Sequence, residues 1–284
     1  MLHVLIEGSN SPTMDIIAVH GLNGHYMKTW TDRPKSRRRT MWLRDLLPEK
    51  LPGCRVMSFE YDASVSGMST TTVRDAAGRI IQMLRDKRKE SFYDNIPIVF
   101  IGHSLGGVVI KQALAIAERD YSMERTAKHI YGQDIAGCTK GIVFFGTPHR
   151  GADIAKWGAM IRNIARVVTC WPRPSFLDVL RRNSEDLYKI SEDFLPLSSN
   201  YAIISFYEEY AIGIWGDVIV DKDSSVTGLP HEQKMMLSGD HRSICRFSRG
   251  DQQFETVWMR IEDAAAGRQE LSATRSGPGG LKMR

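Results

Sequence analysis

The chain has 284 residues, 42% of them hydrophobic and 25% charged, enough to bury a sizeable core at a length where one α/β domain is the default. Against 33 acidic residues stand 38 Lys and Arg, a formal charge of +5 that is too mild an excess to call for a nucleic-acid partner. The N-terminal MLHVLIEGSNSP lacks the basic and apolar regions of a secretory leader, and no window holds the roughly 18 apolar residues needed to span a bilayer, so the expected location is cytoplasmic.

Taken in chain order, the first β-branched runs are Val4 to Ile6 and Ile16 to Val19, the second leading straight into a His-Gly turn, His20-Gly21-Leu22-Asn23-Gly24. Arg33 to Arg39 (RPKSRRR) is densely basic but holds no aromatic residue to stack on a base. It reads as a solvated loop, with nuclear import or a peripheral contact with anionic membrane headgroups as the other readings. After a third run, Arg55 to Tyr61, the stretch Thr70 to Lys89 carries Val73, Ala76, Ala77, Ile80, Ile81 and Leu84 on one helical face, opposite Arg74, Arg79, Arg85 and Lys87. This is an amphipathic crossover helix in which Met83 fills a gap.

Ile98 to Ile101, Gly141 to Phe145 and Ala202 to Tyr207 complete the strand-like runs. Several are apolar almost throughout, as in strands covered by helices on both faces, which predicts a doubly wound, mostly parallel sheet. Residues from about 152 to 196 are helical in pattern, broken near Cys170 to Pro174, and too long for a simple crossover; they read as an inserted helical cap. The domain is expected to run from 1 to 266. Residues 267–284, rich in Gly, Ser and Arg, are expected to be a disordered tail. Cys54, Cys138, Cys170 and Cys245 are widely spaced and read as reduced packing thiols.

The chemistry centres on Gly102-His103-Ser104-Leu105-Gly106, set between the strand Ile98 to Ile101 and a helix with Val109, Ala113 and Ala117 along one face. A serine hydroxyl becomes a useful nucleophile when a strained strand-to-helix turn exposes it, and small residues at Gly102 and Gly106 permit that reversal. An oxyanion then needs two backbone amides. Leu105, directly after the serine, offers one, and Leu22, in the His-Gly turn, is the candidate for the other. Neither role depends on a side chain, and His20 is read as shaping that turn rather than as a base.

In such an arrangement the acid and the histidine follow the serine in chain order. His129 and His149 come too early, and His231 lies in a proline-led turn. His241, in Gly239-Asp240-His241-Arg242-Ser243 ahead of the last helical stretch, is the predicted general base. The acid stays open. Glu208, at the end of the strand Ala202 to Tyr207, fits best; Asp217 is the alternative, Asp221 and Asp223 follow, and Glu209 would point the other way. The chemistry asks for no metal and no organic cofactor.

Several phrases together carry a resemblance: DIIAVHGLNGHYMKTW from Asp15, MWLRDLLP from Met41, GHSLGGVVIKQAL from Gly102, GIVFFGTPHRGAD from Gly141, SFYE from Ser205, VDKDSSVTGLPHE and DHRSICRF. They resemble fungal lipase-like serine esterases of the type often fused ahead of NACHT nucleotide-binding domains. The resemblance implies an α/β-hydrolase fold, hydrolysis of a small-molecule or lipid ester or thioester, Ser104, Glu208 and His241 at the triad positions, and Leu22 and Leu105 at the oxyanion positions. No Gly-x-x-x-x-Gly-Lys-Ser/Thr follows, so the signalling role of the fused architecture is not expected. The alternative is a catalytically vestigial module that keeps the fold for protein interaction or signalling.

Overall fold

The computed structural model describes residues 1–32, 39–64, 70–89, 95–126, 134–149, 158, 163–164, 187–210 and 226–268. Among these, seven strands form one sheet: β1 (Leu2–Ile6), β2 (Asp15–Val19), β3 (Arg55–Phe59), β4 (Ile98–His103), β5 (Thr139–Phe145), β6 (Ala202–Glu208) and β7 (Gln233–Leu237). Their order is β1-β3-β2-β4-β5-β6-β7, parallel throughout except for β1, which pairs antiparallel with β3. Parallel neighbours need crossovers, and the crossover helices bury both faces. Helices α1 (Trp42–Asp45), α2 (Leu47–Lys50) and α6 (Gln252–Ala265) pack on one face; α3 (Thr70–Lys89), α4 (Leu105–Thr126) and α5 (Ile135–Cys138) pack on the other.

The period-two alternation of a strand divides the core in two. Ile17 and Val19 of β2 join Phe100 and Phe144 under α3 and α4, while Ile16 and Ala18 join Ile101, Val143 and Phe145 under α1 and α6. Every residue of β2 and β3 is buried, which is why those runs read as almost wholly apolar. The charged exceptions form one group at the amino ends of the strands. Asp15 accepts from Arg55 at 2.6 and 2.9 Å and from Arg88 at 2.5 Å, and Arg88 also donates to the Ile96 carbonyl at 3.1 Å. Removing the one acid from such a set would leave two buried guanidinium groups uncompensated, so it belongs to the scaffold.

Five of the six predicted runs lie within strands, and Arg55 to Tyr61 overruns β3 by Glu60 and Tyr61; the seventh strand, β7, is an addition to the sequence reading. Its residues QKMML sit on the sheet edge with Gln233, Met235 and Leu237 turned inward and Lys234 and Met236 exposed, a pattern without the apolar continuity of the inner strands. Of the expected cap, residues 158, 163–164 and 187–196 are described. Residues 187–194 are helical, and Ile164, Leu187, Ile190 and Phe194 are buried in the α3/α4 core. The expected tail beyond 268, residues 33–38 of the basic run, and Cys170 lie outside the described residues. Cys54, Cys138 and Cys245 are buried and form no disulfide, and burial raises all three thiols, Cys54 to about 11 and Cys245 to about 12, so they pack as neutral groups. Among the described residues no helix is long and apolar enough to cross a membrane.

Candidate active site

β4 passes into α4 through Ser104, whose φ of 54° lies in the left-handed region that a residue with a Cβ enters at a cost of about 1–3 kcal/mol. The turn is held by what surrounds it. The Ser104 amide donates to the Phe145 carbonyl at 2.9 Å, tying the reversal to β5. At Gly106 a Cβ would lie 2.2 Å from the Val19 carbonyl oxygen and 2.5 Å from that of His20, so α4 can start this close to β2 only on a glycine. This side-chain-free contact brings the elbow against the end of β2.

His241 stands in the turn after β7. Asp240 builds that turn by accepting from the amides of Arg242 and Ser243, each at 2.9 Å. The His241 imidazole is fully buried, with Nε2 2.9 Å from Ser104 Oγ and Nδ1 2.9 Å from Glu208 Oε1. A carboxylate only accepts, so the Nδ1 hydrogen belongs to the Glu208 contact and the Nε2 lone pair faces the serine hydroxyl. Gly146, at φ +51° just beyond β5, makes room for the ring: a Cβ there would meet Nδ1 at 3.1 Å.

The predicted residues Ser104, His241 and Glu208 are thus brought together from 137 and 33 residues apart. Glu208 is the last residue of β6, and its neighbour Glu209 instead accepts from the Ser238 hydroxyl at the surface. Asp217, Asp221 and Asp223 lie outside the described residues, as does His129. His149 is buried with its ring edge-on to Phe144 at 4.5 Å, and His231 lies 3.4 Å from the Ser198 carbonyl; neither contact involves the serine.

The His-Gly turn after β2 abuts the elbow. A Cβ on Gly21 would fall 2.7 Å from Ser104 Cβ and 3.3 Å from the Leu105 nitrogen, which puts Leu22 next in chain to the point of contact. Asn23 and Gly24 spend their amides on the Ala63 and Gly21 carbonyls at 2.8 and 2.9 Å. Leu105 is the first residue of α4, where an amide has no intrahelical acceptor. His20 is buried, donates through Nδ1 to the Gly21 carbonyl at 3.0 Å, and stacks on Tyr61 at 4.8 Å. Burial lowers it to about 4, so it is neutral and its contacts are those of a turn-former.

Three residues at or behind the site escape sequence reasoning. His103, the variable residue of the elbow, directs Nε2 to the His241 carbonyl at 2.7 Å, and burial with the nearby His241 pushes it down to about 3. Gly146 is one glycine among 24. Lys111, on α4, is buried, donates to the Pro148 carbonyl at 3.3 Å and Ser191 Oγ at 3.1 Å, and is lowered by burial to about 7. Only His103 had a signal, its place beside Ser104. A cavity of about 460 Å³ borders the His241 turn through Asp240, Arg242, Ser243 and Arg246, but Ser104 is not in its wall. Among the described residues no group of three or more His, Cys, Asp or Glu is arranged to hold a metal ion.

Comparison with known proteins adds three findings. A family model described as "Putative serine esterase (DUF676)" matches residues 10–158, which include Leu22, Ser104 and Leu105 but neither Glu208 nor His241. Protein SERAC1 of Bos taurus is 26% identical over 94% of this chain and 41% of its own length, and Protein SERAC1 of Homo sapiens is 26% identical over 88% and 39%. The chain spans about two-fifths of the length of these curated relatives. Among solved structures, the mature lipase BlEst2 of Bacillus licheniformis superposes with a TM-score of 0.59 at 12% identity, over 92% of this chain and 98% of that one. A carboxylesterase structure from the thaumarchaeon Nitrososphaera gargenis gives 0.52 at 11% identity, over 94% of both chains. At such identities the likeness is one of fold, the α/β-hydrolase fold. The matches reach the level of a serine esterase family and do not bear on a NACHT fusion or a fungal source.

Proposed function

We propose, from the premise that the chain belongs to the family described as "Putative serine esterase (DUF676)", that it hydrolyses a carboxylic ester or thioester through Ser104, His241 and Glu208. The observation that carries this reading is the pair of 2.9 Å contacts, Ser104 Oγ to His241 Nε2 and His241 Nδ1 to Glu208 Oε1, built on a serine at positive φ. His241 Nε2 takes the hydroxyl proton as Ser104 Oγ bonds to the acyl carbon. The carbonyl oxygen gains the negative charge and is met by the amides of Leu22 and Leu105. Collapse breaks the bond to the alcohol or thiol, which leaves with the proton from His241. Water then attacks the acyl-serine, giving its proton to His241, and the carboxylic acid departs as Ser104 regains its hydrogen. Glu208 keeps the Nδ1 hydrogen on its own side and steadies the imidazolium.

The substrate is proposed as a small-molecule or lipid ester. A fluorophosphonate probe and short-chain p-nitrophenyl esters test the reading on the whole chain. Wild type should label and turn over ester, and Ser104→Ala should abolish labelling. His241→Ala should lower kcat by roughly 10⁶-fold and Glu208→Gln by roughly 10⁴-fold. Asp217→Asn should stay near wild type; if it alone loses turnover, the acid is assigned wrongly. A folded wild type that neither labels nor hydrolyses would favour the silent interaction module.

A further inference from the structure

His103 takes no part in the proton transfers just described, yet it is tied to the base. The His241 carbonyl can only accept, so the 2.7 Å contact requires a hydrogen on His103 Nε2. Within the turn, the Ser243 and Ile244 amides go to the Asp240 carbonyl and that of Arg246 to Ser243. The His241 carbonyl takes its hydrogen from β4 instead. Trp30, fully buried, packs edge-on to the His103 ring, with centroids 6.5 Å apart.

We propose that His103 is a positioning residue, a neutral Nε2–H imidazole that tethers the backbone of His241 to the end of β4 and so fixes the base against Ser104. The inference rests on the hydrolase reading of the site. Its physical content is that the side-chain link between nucleophile and base is remade at each proton transfer, whereas the tether from the adjacent residue to the base's own backbone does not change. Nucleophile and base are then held in register through the acyl-enzyme, when the Ser104 hydroxyl no longer donates to His241. A 1 Å misplacement at this point can cost on the order of 100-fold in rate.

The tether must also carry no charge. The titratable and charged groups around His103 are His241 and Arg246 from the turn after β7 and His20 from the end of β2, all repelling a second proton. The His103 ring centroid lies 5.2 Å from that of His241. A neutral imidazole there leaves the imidazolium of His241 without a like charge as neighbour.

Two variants separate tethering from packing. His103→Phe keeps a ring and loses the donor, while His103→Gln puts an amide hydrogen about where Nε2 stood. The Phe variant, folded by its melting curve, should lose roughly 10- to 100-fold in kcat and in fluorophosphonate labelling rate with KM little changed. Gln should recover most of the loss. In wild type, ¹⁵N NMR of the imidazoles should find His103 protonated at Nε2 and not titrating from pH 5 to 9. A Phe variant with unaltered kcat, a Gln variant as impaired as Phe, or an Nδ1–H or titrating His103 would each overturn the proposal. An inactive wild type would instead sink the hydrolase reading, and the tether would then stand or fall on the NMR result alone.

Discussion

At the scale of single residues the site depends on side chains that are missing. Gly21 touches the elbow so closely that a Cβ would press 2.7 Å from Ser104 Cβ and 2.9 Å from the His103 carbonyl oxygen, both held by backbone that cannot swing away. Gly78, on α3, has nothing within 4 Å of where its Cβ would lie. The same substitution should therefore act in opposite directions. Gly21→Ala should lower kcat/KM at least tenfold and destabilise by about 1–3 kcal/mol, the usual cost of overpacking. Gly78→Ala should leave activity alone and stabilise by about 0.5–1 kcal/mol, since alanine loses less backbone freedom in a helix. Paired ester assays and melting curves check both, and an active, unperturbed Gly21→Ala would mean that the His20 to Gly24 turn is not fitted to the elbow as described.

At the scale of elements, Lys111 joins three of them, α4, the loop after β5 through Pro148 and the helical residues 187–194 through Ser191. Burial lowers it to about 7 against an ordinary value of 10.5. Between those values the unfolded chain holds one more proton than the folded one, so stability rises with pH across that window, by up to about 1.4 kcal/mol per pH unit. Below pH 7 both states are charged and the slope vanishes. Lys111→Met should remove this rise, read as melting temperatures of wild type and variant from pH 7 to 10; parallel curves would refute the linkage. Such a residue also marks where the sequence was silent. Strands β2 to β6 were legible because inner parallel strands must be apolar on both faces, and the Ser104 turn was legible because a sharp strand-to-helix reversal needs glycines at fixed spacing. His241 followed from chain order. Glu208 could be ranked but not chosen over Asp217, since any carboxylate in the loop meets the same local rule. β7 was missed because a half-solvated edge strand needs no apolar run, and the contacts of His103 and Gly146 are with His241, 138 positions from the first, which no local pattern records.

The whole molecule is polar along its strands, with the Asp15, Arg55 and Arg88 group at their amino ends and the Ser104, Glu208 and His241 group at their carboxyl ends, where open α/β sheets place their sites. The carboxyl end also carries two neutral imidazoles, the buried His20 at about 4 and the half-buried His103 at about 3, both lowered chiefly by desolvation. An unfolded histidine takes its proton near pH 6.5, so between there and about pH 4 the unfolded chain binds up to two more protons than the folded one. The stability these groups confer is complete above pH 6.5 and is lost as pH falls, by up to about 3 kcal/mol per pH unit. A native domain holds roughly 5–15 kcal/mol in all, which puts acid unfolding within reach of pH 4 to 5 on these two residues. This window lies below that of Lys111, so the two linkages can be measured separately in urea titrations from pH 4.5 to 6.5 and from 7 to 10. The double variant His20→Asn, His103→Gln keeps a neutral donor at each position and cannot take up a proton. Its stability should be nearly flat from pH 6.5 to 4.5 where wild type falls steeply. Equal slopes in the two proteins would mean that carboxylates govern the acid limb and that these two imidazoles are not what ties the carboxyl end of the sheet to pH.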